Sequence, residues 1–123
     1  MTPKEYQKTQ LRHFSLEEFN CTHTGNNEMS EVFLVKLDRL RGLCGFPFII
    51  TSGYRDPSHP IEAAKASPGT HSEGIAADIR ITNSRQRFLL LHHAFALGFN
   101  GIGIANDFIH LDTRKATPVV WTY

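Results

Sequence analysis

Two short segments restrict the fold of this chain more than anything else in it. Ala76–Ile81 puts Ala77, Ile79 and Ile81 on one side and Asp78 and Arg80 on the other. Phe108–Asp112 repeats the pattern, with Ile109 and Leu111 opposed to Phe108, His110 and Asp112. Successive side chains of an extended chain project to opposite faces, so both segments predict strands with one apolar and one polar face. Such a sheet needs helices against its apolar face. With 123 residues, 41% hydrophobic and 20% charged, the chain has the material for one globular domain of that design.

The helices are legible from their ends. Ser15 followed by Glu18 forms a capping box, and Phe14 and Phe19 are spaced as the hydrophobic staple around it, which predicts a short helix. Residues 20–27 are polar, include Gly25, and read as a loop. A longer helix is expected from about Met29 to Cys44, with Phe33, Leu37, Leu40 and Cys44 on one stripe. Gly45 suits a left-handed terminating residue, and Pro47 blocks continuation. Phe48–Ser52 is β-prone, and residues 53–74 form a long Gly-, Pro- and Ser-rich connection with one possible helical turn around Ile61–Lys65. Ser84 is the expected cap of a helix whose apolar face includes Phe88, Leu91 and Phe95 and which ends at Gly98. Gly101–Ala105 and Phe108–Asp112 predict a hairpin through Asn106-Asp107, and Val119–Tyr123 a last strand. The expected architecture is α+β, with helices packed on a central antiparallel sheet. Residues 1–13 read as an N-terminal arm and 14–123 as the single folded domain.

Composition removes several function classes. Thirteen Lys and Arg against twelve Asp and Glu leave a formal charge of +1 with no basic stripe, so neither nucleic acid nor an anionic membrane is the expected partner. No apolar run approaches the twenty or so residues that span a bilayer, and the first residues lack a signal-peptide h-region. Synthesis in the cytoplasm is therefore expected, with action outside it requiring release by another route. Cys21 and Cys44 are expected to be free, partly buried thiols. No second Cys/His pair joins Cys21 and His23 at zinc-finger spacing, which rejects a structural zinc site of that kind. The chain is expected to be monomeric.

The open face of the predicted sheet concentrates Asp78, His110 and Asp112, and the long connection delivers His71 seven positions before Asp78. His71, Asp78 and His110 suit a catalytic zinc, Zn2+, with the fourth position left to water. Zinc lowers the pKa of that water, and a base must take its proton and pass it to the leaving amine. Asp107, three residues before His110 on the hairpin turn, is the best-placed base. Arg55, just after Ser52-Gly53-Tyr54, offers a planar donor fork for charge developing on a substrate oxygen. A lone His-x6-Asp pair arises easily by chance, so spacing alone leaves solvated surface residues as a competing account.

The order of the motifs adds what spacing cannot. Thr51-Ser-Gly-Tyr-Arg55, Gly69-Thr-His71-Ser-Glu-Gly74-Ile-Ala76-Ala-Asp78, Gly101-Ile-Gly103-Ile and Phe108-Ile-His110-Leu-Asp112 follow one another along the chain. Together they resemble the zinc D-Ala-D-Ala carboxypeptidase family, whose relatives include D-Ala-D-Ala dipeptidases and phage L-alanyl-D-glutamate endopeptidase endolysins. The motif S-x-H-x-x-G-x-A-x-D is matched from His71 onward, with Thr70 before the histidine where Ser or Gln is more usual. The likeness spans roughly residues 14–121. It implies His71, Asp78 and His110 as zinc ligands, Asp107 at the position of the acidic base, and Arg55 as a substrate-binding and oxyanion-stabilising residue. It also implies an α+β fold, a peptidoglycan stem peptide as substrate, and a reaction of the carboxypeptidase or endopeptidase kind.

Other residues stay open at this level. Asp112 could orient a ligand from behind or pair with Arg80 or Arg114. Ser72 is expected to bond locally, and His59 lies in the substrate-facing connection. Tyr54 and Trp121 suit either a cleft wall or the core. A zinc-binding module without catalysis, part of a phage or cell-surface assembly, is the alternative function, although such a module needs neither Arg55 nor Asp107. A phosphate- or nucleotide-directed metal enzyme is a weaker third, since no Gly-rich phosphate loop is present.

Overall fold

The computed structural model describes residues 11–65 and 69–123. Residues 1–10 of the expected arm lie outside the described residues. Leu11 packs against the core, and the backbone N–H groups of Arg12 and His13 donate to the buried carboxylate of Asp38 at 3.2 and 2.9 Å.

Helix formation follows the local signals closely. The box around Ser15 closes a 3-10 turn, Leu16–Phe19, in which Glu18 Oε2 accepts from the Ser15 N–H at 2.7 Å. The staple rings of Phe14 and Phe19 meet edge to face at 5.3 Å. Helix α1 spans Glu31–Cys44, is capped by the Ser30 hydroxyl accepting from the Phe33 N–H, and ends at Gly45 with φ +75°. A single helical turn, α2 (Pro60–Ala63), interrupts the long connection, capped by His59 Nδ1 accepting from the Ile61 N–H at 3.1 Å. Helix α3 spans Ser84–Leu97 and ends at Gly98. Its cap is Asn83, whose side chain accepts from the Gln86 N–H at 2.8 Å, so Ser84 is the first helical residue rather than the cap.

The face that α3 buries corrects an expectation. Phe88 and Phe95 are 65% and 56% exposed, whereas Leu90 and Ala94 are fully buried. The segment Phe88–Leu97 is apolar on nearly every side, so periodicity alone does not choose its phase. Docking chooses it: Ala94, the small residue, faces inward and Cys44 of α1 approaches the Leu89 carbonyl, Sγ to O 3.6 Å.

Five strands, β1 (Ile50–Ser52), β2 (Ala76–Arg80), β3 (Gly101–Ile104), β4 (Phe108–Asp112) and β5 (Val119–Thr122), form one sheet in the order β1-β2-β4-β3-β5. The first four pair antiparallel, but β5 runs parallel to β3, so the sheet is mixed rather than wholly antiparallel. The cause is the link after Asp112, which passes the start of β3 and begins β5 beside Gly101. Asn100 holds that crossing, its side-chain N–H donating to the Arg114 carbonyl and its own carbonyl accepting from the Val119 N–H.

Alternation works as predicted. Ala77, Ile79, Ile102, Ile109 and Leu111 are buried against Phe33, Leu37 and Leu40 of α1 and Leu90 of α3 in one core. Truncating a fully buried residue such as Ile79 to Ala costs roughly 2–5 kcal/mol by lost burial and cavity formation. Cys21 and Cys44 are both free and buried.

Candidate metal centre

Register places the chemistry. Asp78 on β2 lies opposite His110 on β4, and His110 lies opposite Gly103 on β3, which in turn faces Trp121 on β5. These residues form one row across the open face. The turn 69–74 then brings His71 over the row from β2's N-terminal side. Gly74 makes that return possible with φ +74°, where a side chain would also strike the Glu28 carbonyl.

Three donor atoms converge. His71 Nε2 lies 3.3 Å from Asp78 Oδ1, and His110 Nδ1 lies 3.0 Å from the same oxygen. All three side chains are buried, and their donor atoms fall within 4.8 Å of one another. Two ligands of a tetrahedral zinc, each 2.0–2.1 Å from the ion, stand about 3.3 Å apart, so these spacings suit that ion without rearrangement.

The far side of each imidazole is also committed. His71 Nδ1 is 2.8 Å from the Gly53 carbonyl, which can only accept, so Nδ1 carries the hydrogen and Nε2 is left to the centre. His110 Nε2 meets Asp112 Oδ2 at 2.7 Å, leaving Nδ1 inward. A metal-binding histidine wants this arrangement, because the partner sets its tautomer and orientation. Both roles left open for Asp112 are realised together: it orients His110 and accepts from Arg114 Nε and Nη2 at 2.9 and 2.6 Å.

Electrostatics follow from this packing. Burial alone would push the Asp78 carboxyl up, but hydrogen bonds from His110 and His71 hold it well below the usual carboxylate range. Burial is likewise outweighed at Asp112 by donors from Arg114 and His110. His110 is moved the other way: burial favours its neutral form, yet Asp112 and Asp78 together raise its pKa.

A cleft of about 490 Å³ opens over the row, with Arg55, Lys65 and Arg114 as its cations and Phe108, Trp121 and Tyr123 as its aromatic wall. Trp121 lies against His110 with ring centroids 5.1 Å apart, and the Arg114 guanidinium sits over the indole, 5.1 Å from its centroid. Gly103 allows this, since a Cβ there would come within 2.7 Å of the indole. Tyr54, by contrast, belongs to the core.

The predicted site residues separate into those brought to the cleft and those that are not. His71, Asp78, His110, Asp112 and Arg55 come together. Ser72 stands behind Arg55, its hydroxyl donating to the Arg55 carbonyl at 2.6 Å. His59 caps α2 and lines a smaller pocket beside Gly53 and Tyr54. Asp107 is exposed on the β3–β4 turn and lines a neighbouring cleft with Arg87, Asn106 and Tyr123. Tyr123 is common to both clefts.

The motif order has its counterpart in the comparisons: the sequence profile of the family described as Peptidase M15 matches residues 12–112. The chain belongs to the peptidase M15 family. It is therefore a metallopeptidase by family, in a group of zinc-dependent enzymes of the peptidoglycan-hydrolase kind. No curated protein matches the chain. Among the described residues of this M15 peptidase, no helix is long and apolar enough to cross a membrane.

One buried side chain beside the cleft escaped the sequence. Glu62 on α2 is 2% exposed and gathers Lys65 Nζ at 2.9 Å, the Gly69 N–H at 2.8 Å and Arg55 Nη1 at 3.4 Å. A glutamate in the first turn of a one-turn helix reads as a surface residue that complements the helix dipole, and no period marks it as buried. Burial would raise its carboxyl, but the Gly69 N–H and Lys65 outweigh this and bring its pKa from 4.5 down to about 2. A depressed folded value means the ionised carboxylate stabilises the fold fully above the unfolded pKa, with the contribution fading as pH falls toward about 2. Glu62→Gln is expected to flatten the acid limb of stability over that window. Urea unfolding at pH 6, 4 and 2 checks this: the gap between the two proteins should close as pH falls.

Proposed function

We propose that this M15 peptidase hydrolyses the stem peptides of peptidoglycan, as a D-Ala-D-Ala carboxypeptidase or an endopeptidase of the endolysin type. The observation that carries the proposal is the convergence of His71 Nε2, Asp78 Oδ1 and His110 Nδ1 at ligand spacing, with both imidazoles oriented from behind, on the floor of a cleft that Arg55 enters. His71, Asp78 and His110 would hold the ion. Bound there, zinc supplies a Lewis acid and a water of lowered pKa.

The chain's own residues supply the rest. Arg55, its side chain 19% exposed, lies 3.8 Å from Asp78 Oδ2 and presents its fork to the cleft, where it can meet negative charge developing on a carbonyl oxygen. Trp121, Phe108 and Tyr123 supply the cleft's aromatic surface, against which the apolar parts of a peptide can pack. The buried carboxylates are committed: Asp78 to the histidines, Asp112 to His110 and Arg114, Glu62 to Lys65, Gly69 and Arg55. Among the described residues, Asp107 has no such hydrogen bond or ion pair through its carboxylate, which leaves it available to take a proton from water and return it to the departing amine. That part asks the β3–β4 turn to carry the carboxylate past Tyr123 toward the metal.

The position of Asp107 outside the cleft is also what favours the second reading, a zinc-binding module without catalysis. Zinc-loaded protein incubated with defined muropeptides and analysed by mass spectrometry separates the two. Release of D-Ala or of cleaved stem peptides supports the peptidase; intact muropeptides with zinc bound support the module. In the peptidase case, Asp107→Ala is expected to lower kcat by about 10²–10⁴, the usual worth of a positioned general acid–base group, with zinc content unchanged. Undiminished turnover would remove Asp107 from the mechanism.

A further inference from the structure

We infer that Glu62 is the positioning residue for Arg55, clamping it to the segment that carries His71; this rests on the peptidase reading above. Arg55 leaves β1 in a connection where most side chains are solvated, and a long flexible side chain there has little to fix it. Three contacts do so. Its N–H donates to the His71 carbonyl at 3.2 Å, its carbonyl accepts from the Ser72 hydroxyl at 2.6 Å, and its guanidinium lies between two carboxylates, Glu62 at 3.4 Å and Asp78 at 3.8 Å. The first two hold only the backbone. Asp78 points its other oxygen at the histidines, so an arginine drawn wholly onto Asp78 would compete with the metal for that carboxylate. Glu62 is the counterweight on the opposite side.

The rest of its environment fits that task. The Glu62 side chain has no solvent-exposed surface, and its other oxygen accepts from Gly69, the residue that opens the His71 turn. Lys65, 43% exposed, supplies a second positive partner, so the carboxylate stays charged and in place without drawing Arg55 out of the cleft. One buried carboxylate thus sets both the direction of Arg55 and the start of the segment bearing His71.

The test uses zinc-loaded protein in two readouts. In ¹⁵N-labelled protein, the Arg55 guanidinium Nη–H resonances, assigned by their loss in Arg55→Met, are expected to be protected in the wild type, where Nη1 meets Glu62 and Nη2 faces Asp78, and to exchange at least about tenfold faster in Glu62→Gln, as for a side chain released from a buried ion pair. In hydrolysis of a defined stem peptide, Glu62→Gln is expected to lower kcat/KM about 10–100-fold alone and less than about twofold in the Arg55→Met background, because coupled residues are not additive. Unchanged Arg55 resonances, or equal losses in both backgrounds, overturn the assignment and leave Glu62 as a scaffold of the connection alone. If Glu62→Gln does not fold, Glu62→Asp replaces it, keeping the charge and shortening the reach, with the same expected outcomes. Loss of Arg55 protection in the variant, with no hydrolysis even by the wild type, upholds the positioning role while the peptidase reading fails.

Discussion

Asp78→Asn is expected to strip the protein of metal and to lower kcat/KM by about 10²–10³-fold, the scale seen when one preorganised electrostatic group is removed from a catalytic centre. Asp78 is the hub of the site: one oxygen lies 3.3 Å from His71 and 3.0 Å from His110, and the other 3.8 Å from Arg55. An asparagine keeps the shape but presents one acceptor and one NH2 group, so one side must meet a donor. The lost charge also leaves Arg55, still paired with Glu62, facing a divalent ion with no carboxylate between them. Metal analysis after dialysis against micromolar zinc, beside the hydrolysis rate, reads the effect. Wild-type zinc stoichiometry and affinity in the variant would show that Asp78 is not a ligand.

The largest effect on stability is expected at a residue with no side chain. A Cβ placed on Gly101 would collide with both carboxylate oxygens of Asp112. Asp112 cannot yield: it is fully buried and held by His110 Nε2 at 2.7 Å, by the Arg114 guanidinium, and by the Arg114 N–H at 3.0 Å. Gly101→Ala therefore has to break a buried ionic network or shift β3 from β4, at a cost of about 3–5 kcal/mol. Because Asp112 orients His110, zinc affinity is expected to fall about 10–100-fold in whatever fraction folds. Chemical denaturation and a chelator competition measure the two losses. Gly101→Ala with wild-type stability would mean that Asp112 is not fixed as the hydrogen bonds indicate.

These two positions differ in how far the chain announces them. Asp78 is named by alternation and by motif order, since a carboxylate on the polar face of a strand otherwise apolar is conspicuous. Gly101 reads only as the start of a short strand; its purpose depends on the register that sets it opposite Asp112. Glu62 is a further step removed. Nothing near it in the chain indicates burial, because its partners Arg55 and Gly69 come from either side of a connection whose path is set by tertiary contacts. The exposed Phe88 and Phe95 make the same point for packing: a helix apolar all round leaves its phase to the neighbour it docks on.

Local chemistry therefore determined the elements, their caps and the open-faced strands, because hydrogen bonding and side-chain alternation act over a few residues. Motif order determined the family and named the trio His71, Asp78 and His110 as candidate ligands. Only the tertiary structure decided that β5 runs parallel to β3, that Trp121 lies beside His110 over the bare backbone of Gly103, and that Asp107 stands in a neighbouring cleft. Strand order, register and the burial of Glu62 are agreements between segments far apart in the chain, and such agreements exist only once the core has closed.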